Sequence, residues 1–376
     1  NTKRKICGII EHNEASSPGK NAHPRKFNPE AHTRFPINHA RILSHHTDNS
    51  HERGHTAMNG VNNPTKLGVI GAGGVGSATA YAAMVRGSAD EIVLYDIDGK
   101  RAHAEALDIA HGAMFAHEAT VTGGDDIELL RDCDMVIITA GARQKPGQPR
   151  LELAGANVAI LEKLLPNILS VAPNAIIMLV TNPCDVLTIV AQKITGLPAN
   201  RVLSSGTVLD SSRLRWLIAN KAGVSIKSVH ANVVGEHGDS EFPVWSAANI
   251  GMVPLTEWKQ DGKLLFTEEV RAELATEAMR AAYKVIEGKG STNYAIGISG
   301  ARIAEAFLGG QNAVLPVSTT IAGELYGFKD VALSLPTIVN REGIQRVLEV
   351  PMNEAELAQL KASAEAIRAS AASLGF

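Results

Sequence analysis

An α/β fold, a Rossmann-type doubly wound parallel sheet followed by a mixed α+β domain, is what the sequence predicts, on three observations. Short apolar runs rich in β-branched residues recur between amphipathic stretches, a glycine-rich turn follows the first of them, and the regular alternation lapses beyond about Pro198. The apolar runs are KLGVIG from Lys66, EIVLYD from Glu91, MVIITAG from Met135 and AIIMLV from Ala175. Each is too continuously apolar for a strand with one wet face, so each belongs in a parallel sheet covered by helices on both sides. After Pro198 the spacing predicts helices near 207–222 and 267–287, strand-like runs near 229–234 and 313–320, and a last helix from about Glu354. The expected division is therefore 64–205 for a nucleotide-binding domain and 206–376 for a second, mixed domain.

Residues 1–63 differ from everything that follows. They hold eight of the 13 histidines and four prolines without any sustained helical or strand period. Such a segment buries too little apolar surface to offset its ordering entropy, and a disordered extension is expected. Its histidines have no regular spacing, so no metal site is predicted. Met58 lies just before the first strand-like run, and the expectation is that the segment ahead of it is outside the functional protein.

Composition narrows the partners. A net charge of −3 across 376 residues, with 45% hydrophobic and 20% charged residues, argues against a general polyanion binder. No apolar run approaches the ~18 residues of a membrane helix, and the basic start NTKRKICGII has too short an apolar stretch for an export signal. Cys7, Cys133 and Cys184 have neither disulfide-framework nor zinc spacing, and a reducing, cytoplasmic setting is expected.

The turn after the first strand reads G-x-G-x-x-G, with Gly71, Gly73 and Gly76, and opens the helical run SATAYAAMVRG. A pyrophosphate needs close backbone approach and a helix N-terminus, which this turn supplies together with Val75. The second strand ends in Asp96, 20 residues past Gly76, where a carboxylate can accept ribose hydroxyls and would repel a 2'-phosphate. NAD is thus favoured over NADP.

Four further stretches carry polar groups that a core would not tolerate: TAGARQKPGQPRLEL (139–153), VTNPCD (180–185), GTVLDSSRLR (206–215) and GEHGDS (235–240). In the last, a histidine stands between two glycines among acids, directly behind an apolar run. With the glycine fingerprint, these stretches resemble the lactate/malate dehydrogenase family from about Lys66 to the C-terminus, and within it the NAD-dependent L-lactate dehydrogenases. The resemblance implies hydride transfer between NADH and pyruvate, giving L-lactate. It assigns His237 as acid/base and Asp210 as its partner, and the chemistry explains the pairing. Reduction of a 2-oxo acid delivers a proton to the carbonyl oxygen, and a carboxylate on the other ring nitrogen favours the imidazolium that donates it. Asp239 and Glu241 are expected to serve local hydrogen bonds or solvent.

By the same resemblance Arg213 binds the substrate carboxylate, Arg150 on a mobile loop polarises the carbonyl, Asn182 contacts the reacting oxygen and the cofactor, and Thr292 in KGSTNYAIG lies beside substrate. Gln144, just before the K-P-G of the loop, is the specificity position. It is neutral, which suits the methyl of pyruvate, whereas the malate dehydrogenases have arginine there. Cys184 reads as a small buried hydrophobe. Arg215 falls about 200° around the helix from Arg213 and cannot serve the same carboxylate. In bacterial members activated by fructose 1,6-bisphosphate, an arginine at this position pairs with a histidine where His230 stands. The resemblance thereby implies a homotetramer with Arg215 and His230 in an effector site. Malate dehydrogenase and a non-catalytic NAD-binding protein remain open as alternatives at this point.

Overall fold

The computed structural model describes residues 64–142 and 150–376, with the side chains of positions 150 and 151 left out of the description. The extension 1–63 and the specificity position Gln144 lie outside the described residues.

Six parallel strands make the centre of the sheet: β1 (Lys66–Ile70), β2 (Glu91–Tyr95), β3 (Thr120–Gly124), β4 (Met135–Ile138), β5 (Ile176–Leu179) and β6 (Val202–Ser204). They lie in the order β3-β2-β1-β4-β5-β6, so the sheet grows in both directions from the β1/β4 pair. Beyond β6 the sheet continues with Ser318–Thr320, antiparallel to β6, and Ala332–Ser334, antiparallel to Ser318–Thr320. The linking helices are α1 (Gly74–Arg86), α2 (Gly99–His111), α3 (Arg150–Val171) and α4 (Cys184–Thr195).

The continuous apolar character of the strands is explained by two cores, one on each face. Along β4 and β5, Met135, Ile137, Ile176 and Met178 join the core that contains Ala80, Ala83 and Met84 of α1. The alternate residues Val136, Ile138, Ile177 and Leu179 join Leu161, Leu165 and Ile168 of α3 and Leu187 and Val190 of α4. The two-residue period thus sends successive side chains into different cores, each contributing about 1.5–3 kcal/mol when fully buried.

The second half starts with α5 (Val208–Ala222), followed by three short strands, β7 (Val229–His230), β8 (Val233–Val234) and β9 (Phe242–Pro243). It continues with α6 (Glu268–Lys289), α7 (Tyr294–Leu308) and α8 (Glu354–Ser373). Two expected strands divide. The run at 229–234 breaks between β7 and β8, where the Arg215 guanidinium takes the Ala231 carbonyl and the Asn232 side chain. The run at 313–320 breaks at Pro316, so that Ala313–Leu315 pairs with Thr337–Asn340 while Ser318–Thr320 joins the main sheet. Helix α7 has no counterpart among the expected elements. It packs so closely on α1 that a Cβ at Gly297 would stand 2.7 Å from the Ala78 carbonyl carbon.

Candidate active site

The nucleotide turn is built on backbone that only glycine tolerates. Gly71 has φ +101°, and a Cβ there would meet the Ala140 nitrogen at 2.9 Å. A Cβ on Gly76 would stand 1.7 Å from the Gly71 carbonyl oxygen, so the third glycine lets the helix leave the strand. Nothing lies within 4 Å of a Cβ at Gly73, the N-cap of α1, which makes no side-chain cap. The uncapped N–H groups of the first turn, with half-buried Val75 among them, fit a pyrophosphate. Asp96 leaves β2 beside this turn, one oxygen accepting from the Ala72 N–H at 2.6 Å and the other from the Asp98 N–H at 3.0 Å. Each oxygen retains a lone pair for a ribose hydroxyl.

His237 occupies the connection of a hairpin. Val233 and Val234 of β8 pair with Pro243 and Phe242 of β9, and residues 235–241 form the turn between them. Gly235, at φ +95°, bridges to Ser334 at the sheet edge, and a Cβ on it would meet the Ser363 hydroxyl at 2.7 Å. That hydroxyl, on α8, accepts the Glu236 N–H at 2.6 Å. On the other side, Thr207 at the start of α5 donates to the Val233 carbonyl at 2.6 Å, and the Val233 N–H donates to Ser211 at 2.9 Å. These bonds fix α5 against the hairpin and bring Asp210, three residues into the helix, to the imidazole.

The His237 Nδ1 to Asp210 Oδ2 distance is 2.7 Å, and Arg213 Nη1 donates to the other Asp210 oxygen at 2.7 Å. Asp210 is buried, while His237 and Arg213 keep 27% and 17% of their side-chain surface, so the open side of the cluster presents the ring and the guanidinium. Burial alone would lower the histidine pKa, but the carboxylates of Asp210, Glu241 and Asp185 outweigh it and push His237 up to about 9. Asp210, although buried, is held below its ordinary value by His237 and Arg213.

Glu241 keeps the local hydrogen bonding expected of it, through the Gly238 backbone, but does not face solvent. It is buried, its carboxyl is 3.8 Å from the His237 ring, and burial together with Asp210 pushes it up to about 8. Asp210, His237 and Glu241 are also the one group, among the described residues, close enough to share a cation. Cys184 is buried at the start of α4 and its thiol is pushed up by burial, as a packing residue requires.

Two residues without an expected role complete the site. Asp185 is only 2% exposed and accepts the His237 backbone N–H at 2.7 Å. Its signal was present as a lone acid opening the apolar helical run DVLTIVA. Asn157 on α3, also 2% exposed, accepts the Ala142 N–H and donates to the Asn182 carbonyl, both at 2.8 Å. It ties the base of the 139–153 segment to the end of β5, a contact across 25 residues that no local pattern reveals. Asn182 itself is exposed beside this tie. Arg150 opens α3. Thr292 is half-buried, and its neighbour Asn293 reaches the nucleotide turn, where a Cβ on Gly74 would be 3.7 Å from it. His230 is exposed on β7 and pairs with Asn249, whereas Arg215 turns inward to Ala231 and Asn232, each at 2.7 Å.

A glycine turn for a dinucleotide, followed along the sheet by a histidine held on an aspartate, defines an NAD-dependent oxidoreductase. Family models confirm it: residues 65–204 match the lactate/malate dehydrogenase NAD-binding domain, and residues 207–374 match the alpha/beta C-terminal domain of the same family. The chain belongs to the lactate/malate dehydrogenase family. It is 52% identical over 314 residues to an L-lactate dehydrogenase of Bifidobacterium animalis subsp. lactis, covering 83% of this chain and 98% of the relative. It is 44% identical over 313 residues to an L-lactate dehydrogenase of Thermus aquaticus, covering 83% and 100%. A solved lactate dehydrogenase from a Medee basin deep-sea metagenome library superposes with a TM-score of 0.79 at 36% identity, covering 83% of this chain and 99% of that one. The minor L-lactate dehydrogenase of Enterococcus mundtii gives 0.78 at 36%, covering 82% and 97%.

Proposed function

We propose that the protein is an L-lactate dehydrogenase that interconverts pyruvate and L-lactate. The observation that carries this reading is the line His237–Asp210–Arg213, in which one buried carboxylate holds both a proton donor and a cation shaped for a carboxylate. NADH, when bound, supplies the hydride. Arg213 uses one N–H on Asp210 and keeps its remaining donors to fork a substrate carboxylate. With Nδ1 held by Asp210, Nε2 of His237 delivers the proton to the carbonyl oxygen in reduction and removes it in oxidation. Arg150 polarises that oxygen, Asn182 hydrogen-bonds it, and Thr292 borders the substrate. Gly71, Gly73, Val75, Gly76, Asp96 and Asn182 hold the cofactor. The nucleotide-binding part is assigned to 64–205, which also lends Gln144, Arg150 and Asn182 to the substrate, and the catalytic part to 206–376; the support is the limits of the two family models.

Pyruvate is favoured over oxaloacetate because neutral Gln144 leaves a second substrate carboxylate without a positive partner. Parallel assays of NADH oxidation with pyruvate and with oxaloacetate test this, and a wild-type preference for oxaloacetate would overturn it. Gln144→Arg is expected to move the preference toward oxaloacetate by ~10-fold or more, a difference of about 1.4 kcal/mol. The reading extends to a cytoplasmic homotetramer activated by fructose 1,6-bisphosphate through Arg215 and His230. The support is their placement: Arg215 anchors the residue next to His230, on the side of α5 away from Arg213.

A further inference from the structure

The turn that carries His237 is held from behind by a carboxylate that the reaction as derived above does not use. Asp185 is the second residue of α4, three positions after the exposed Asn182 in the loop that follows β5. It lies in the interior, and its Oδ2 accepts the His237 backbone N–H at 2.7 Å. Its other oxygen, Oδ1, is buried among the hydroxyls of Ser204, Ser318 and Ser334 on the adjoining strands, of which Ser318 is the one close enough to act on the carboxylate as a donor. An apolar or neutral residue could fill this position at lower desolvation cost, so an acid here needs a reason. We propose that Asp185 is a second positioning carboxylate of the catalytic centre, which fixes the turn through the His237 N–H and places a buried negative charge behind the imidazole.

This inference rests on the reading of His237 as the acid/base. The ionisable groups that act on the ring are Asp210 from α5, Glu241 from its own turn and Asp185 from α4, while Arg213 acts on Asp210 and Glu241, Glu236 acts on Asp185, and the Cys184 thiol lies against Asp185. Asp210 and Glu241 bear on the ring edge at Nδ1, whereas Asp185 bonds only the backbone N–H and reaches the ring by its charge alone. Its contribution can therefore be removed without touching the Nδ1 hydrogen bond. Burial raises Asp185 to about 6, against the opposing effects of the Ser318 hydroxyl and His237, and in its anionic form it favours the imidazolium.

The test compares pH profiles of kcat/KM for pyruvate in the holoenzyme with saturating NADH, for wild type, Asp185→Asn, Asp185→Ala and His237→Asn. Asparagine keeps an oxygen for the His237 N–H, loses the charge and puts an NH2 donor in place of the second oxygen. The alkaline fall of the profile is expected to move to lower pH by about one unit in Asp185→Asn. Asp185→Ala, which also releases the turn, is expected to show that movement together with a lower plateau on the acid side. An alkaline limb at the wild-type position in Asp185→Asn would overturn the electrostatic role, and a wild-type plateau in Asp185→Ala would overturn the positioning role. NADH binding followed by fluorescence separates either result from misfolding. Failure of the underlying reading looks different: His237→Asn would retain turnover, or the wild-type profile would have no alkaline limb.

Discussion

At the scale of single residues, the site depends on which atoms of His237 are engaged. If His237 is the proton donor proposed above, reduction needs the imidazolium, and the rate of pyruvate reduction should be high below the histidine pKa and fall as pH rises through about 9. Lactate oxidation needs the neutral ring and should rise over the same range. Stopped-flow measurement of the hydride step in both directions checks the sign. His237→Asn should retain NADH binding and lose ~100- to 10,000-fold in reduction, and Asp210→Asn should lose less. Near-normal turnover in His237→Asn would remove the residue from the mechanism. Asn157 offers a separate test, since Asn157→Leu leaves the Ala142 N–H and the Asn182 carbonyl without their partner. Both partners belong to exposed residues, so water takes up part of each lost bond and the cost is about 0.5–1.5 kcal/mol apiece. Thermal unfolding should shift down by several degrees, with a raised KM for pyruvate and little change in NADH affinity. An unchanged KM would mean that the tie stabilises the fold without positioning the loop base.

Among the elements, strands were the most legible part of the sequence and irregular connections the least. β4 and β5 could be read because every residue in them is buried, which leaves a continuous apolar run. The glycine turn was readable for a related reason: its steric demand admits one residue type at Gly71 and Gly76. Gly76→Ala would force a Cβ to within 1.7 Å of the Gly71 oxygen, and at least about tenfold weaker NADH binding is expected by fluorescence titration. Wild-type affinity would show that the turn has room to relax. The breaks at 231–232 and at Pro316 were not legible as strand ends, because Arg215 and the neighbouring sheets decide where pairing stops. Helix α3 makes the same point, since it runs from Arg150 to Val171 through Pro166. A proline inside a helix removes one backbone hydrogen bond, yet Leu161, Leu165, Ile168 and Val171 are buried against the sheet and carry the helix past it.

For the whole molecule, the effector reading makes a prediction that one subunit cannot test alone. Fructose 1,6-bisphosphate should lower the apparent KM for pyruvate, typically by ~5- to 150-fold for an allosteric coupling, and a substrate analogue should tighten effector binding by the same factor. Arg215→Gln should abolish the response while preserving kcat at saturating pyruvate. Saturation curves that ignore the effector at neutral and slightly acidic pH, in wild type and variant alike, would exclude the site. Sedimentation with and without the effector measures the assembly directly. By itself the sequence determined the doubly wound sheet, the dinucleotide turn and the residues on which the chemistry is proposed to rest. Those features depend on local period, on the steric demand of glycine and on residue types few other roles require. Only the tertiary structure decided that Asp185, Glu241, Asn157 and Ser363 surround the same turn and loop base. Their roles come from burial and from hydrogen bonds across 25 to 127 residues of chain, or, for Glu241, from a fold that turns its carboxyl inward. The same acid or amide on an exposed surface would carry neither the charge nor the constraint that these positions acquire in the interior.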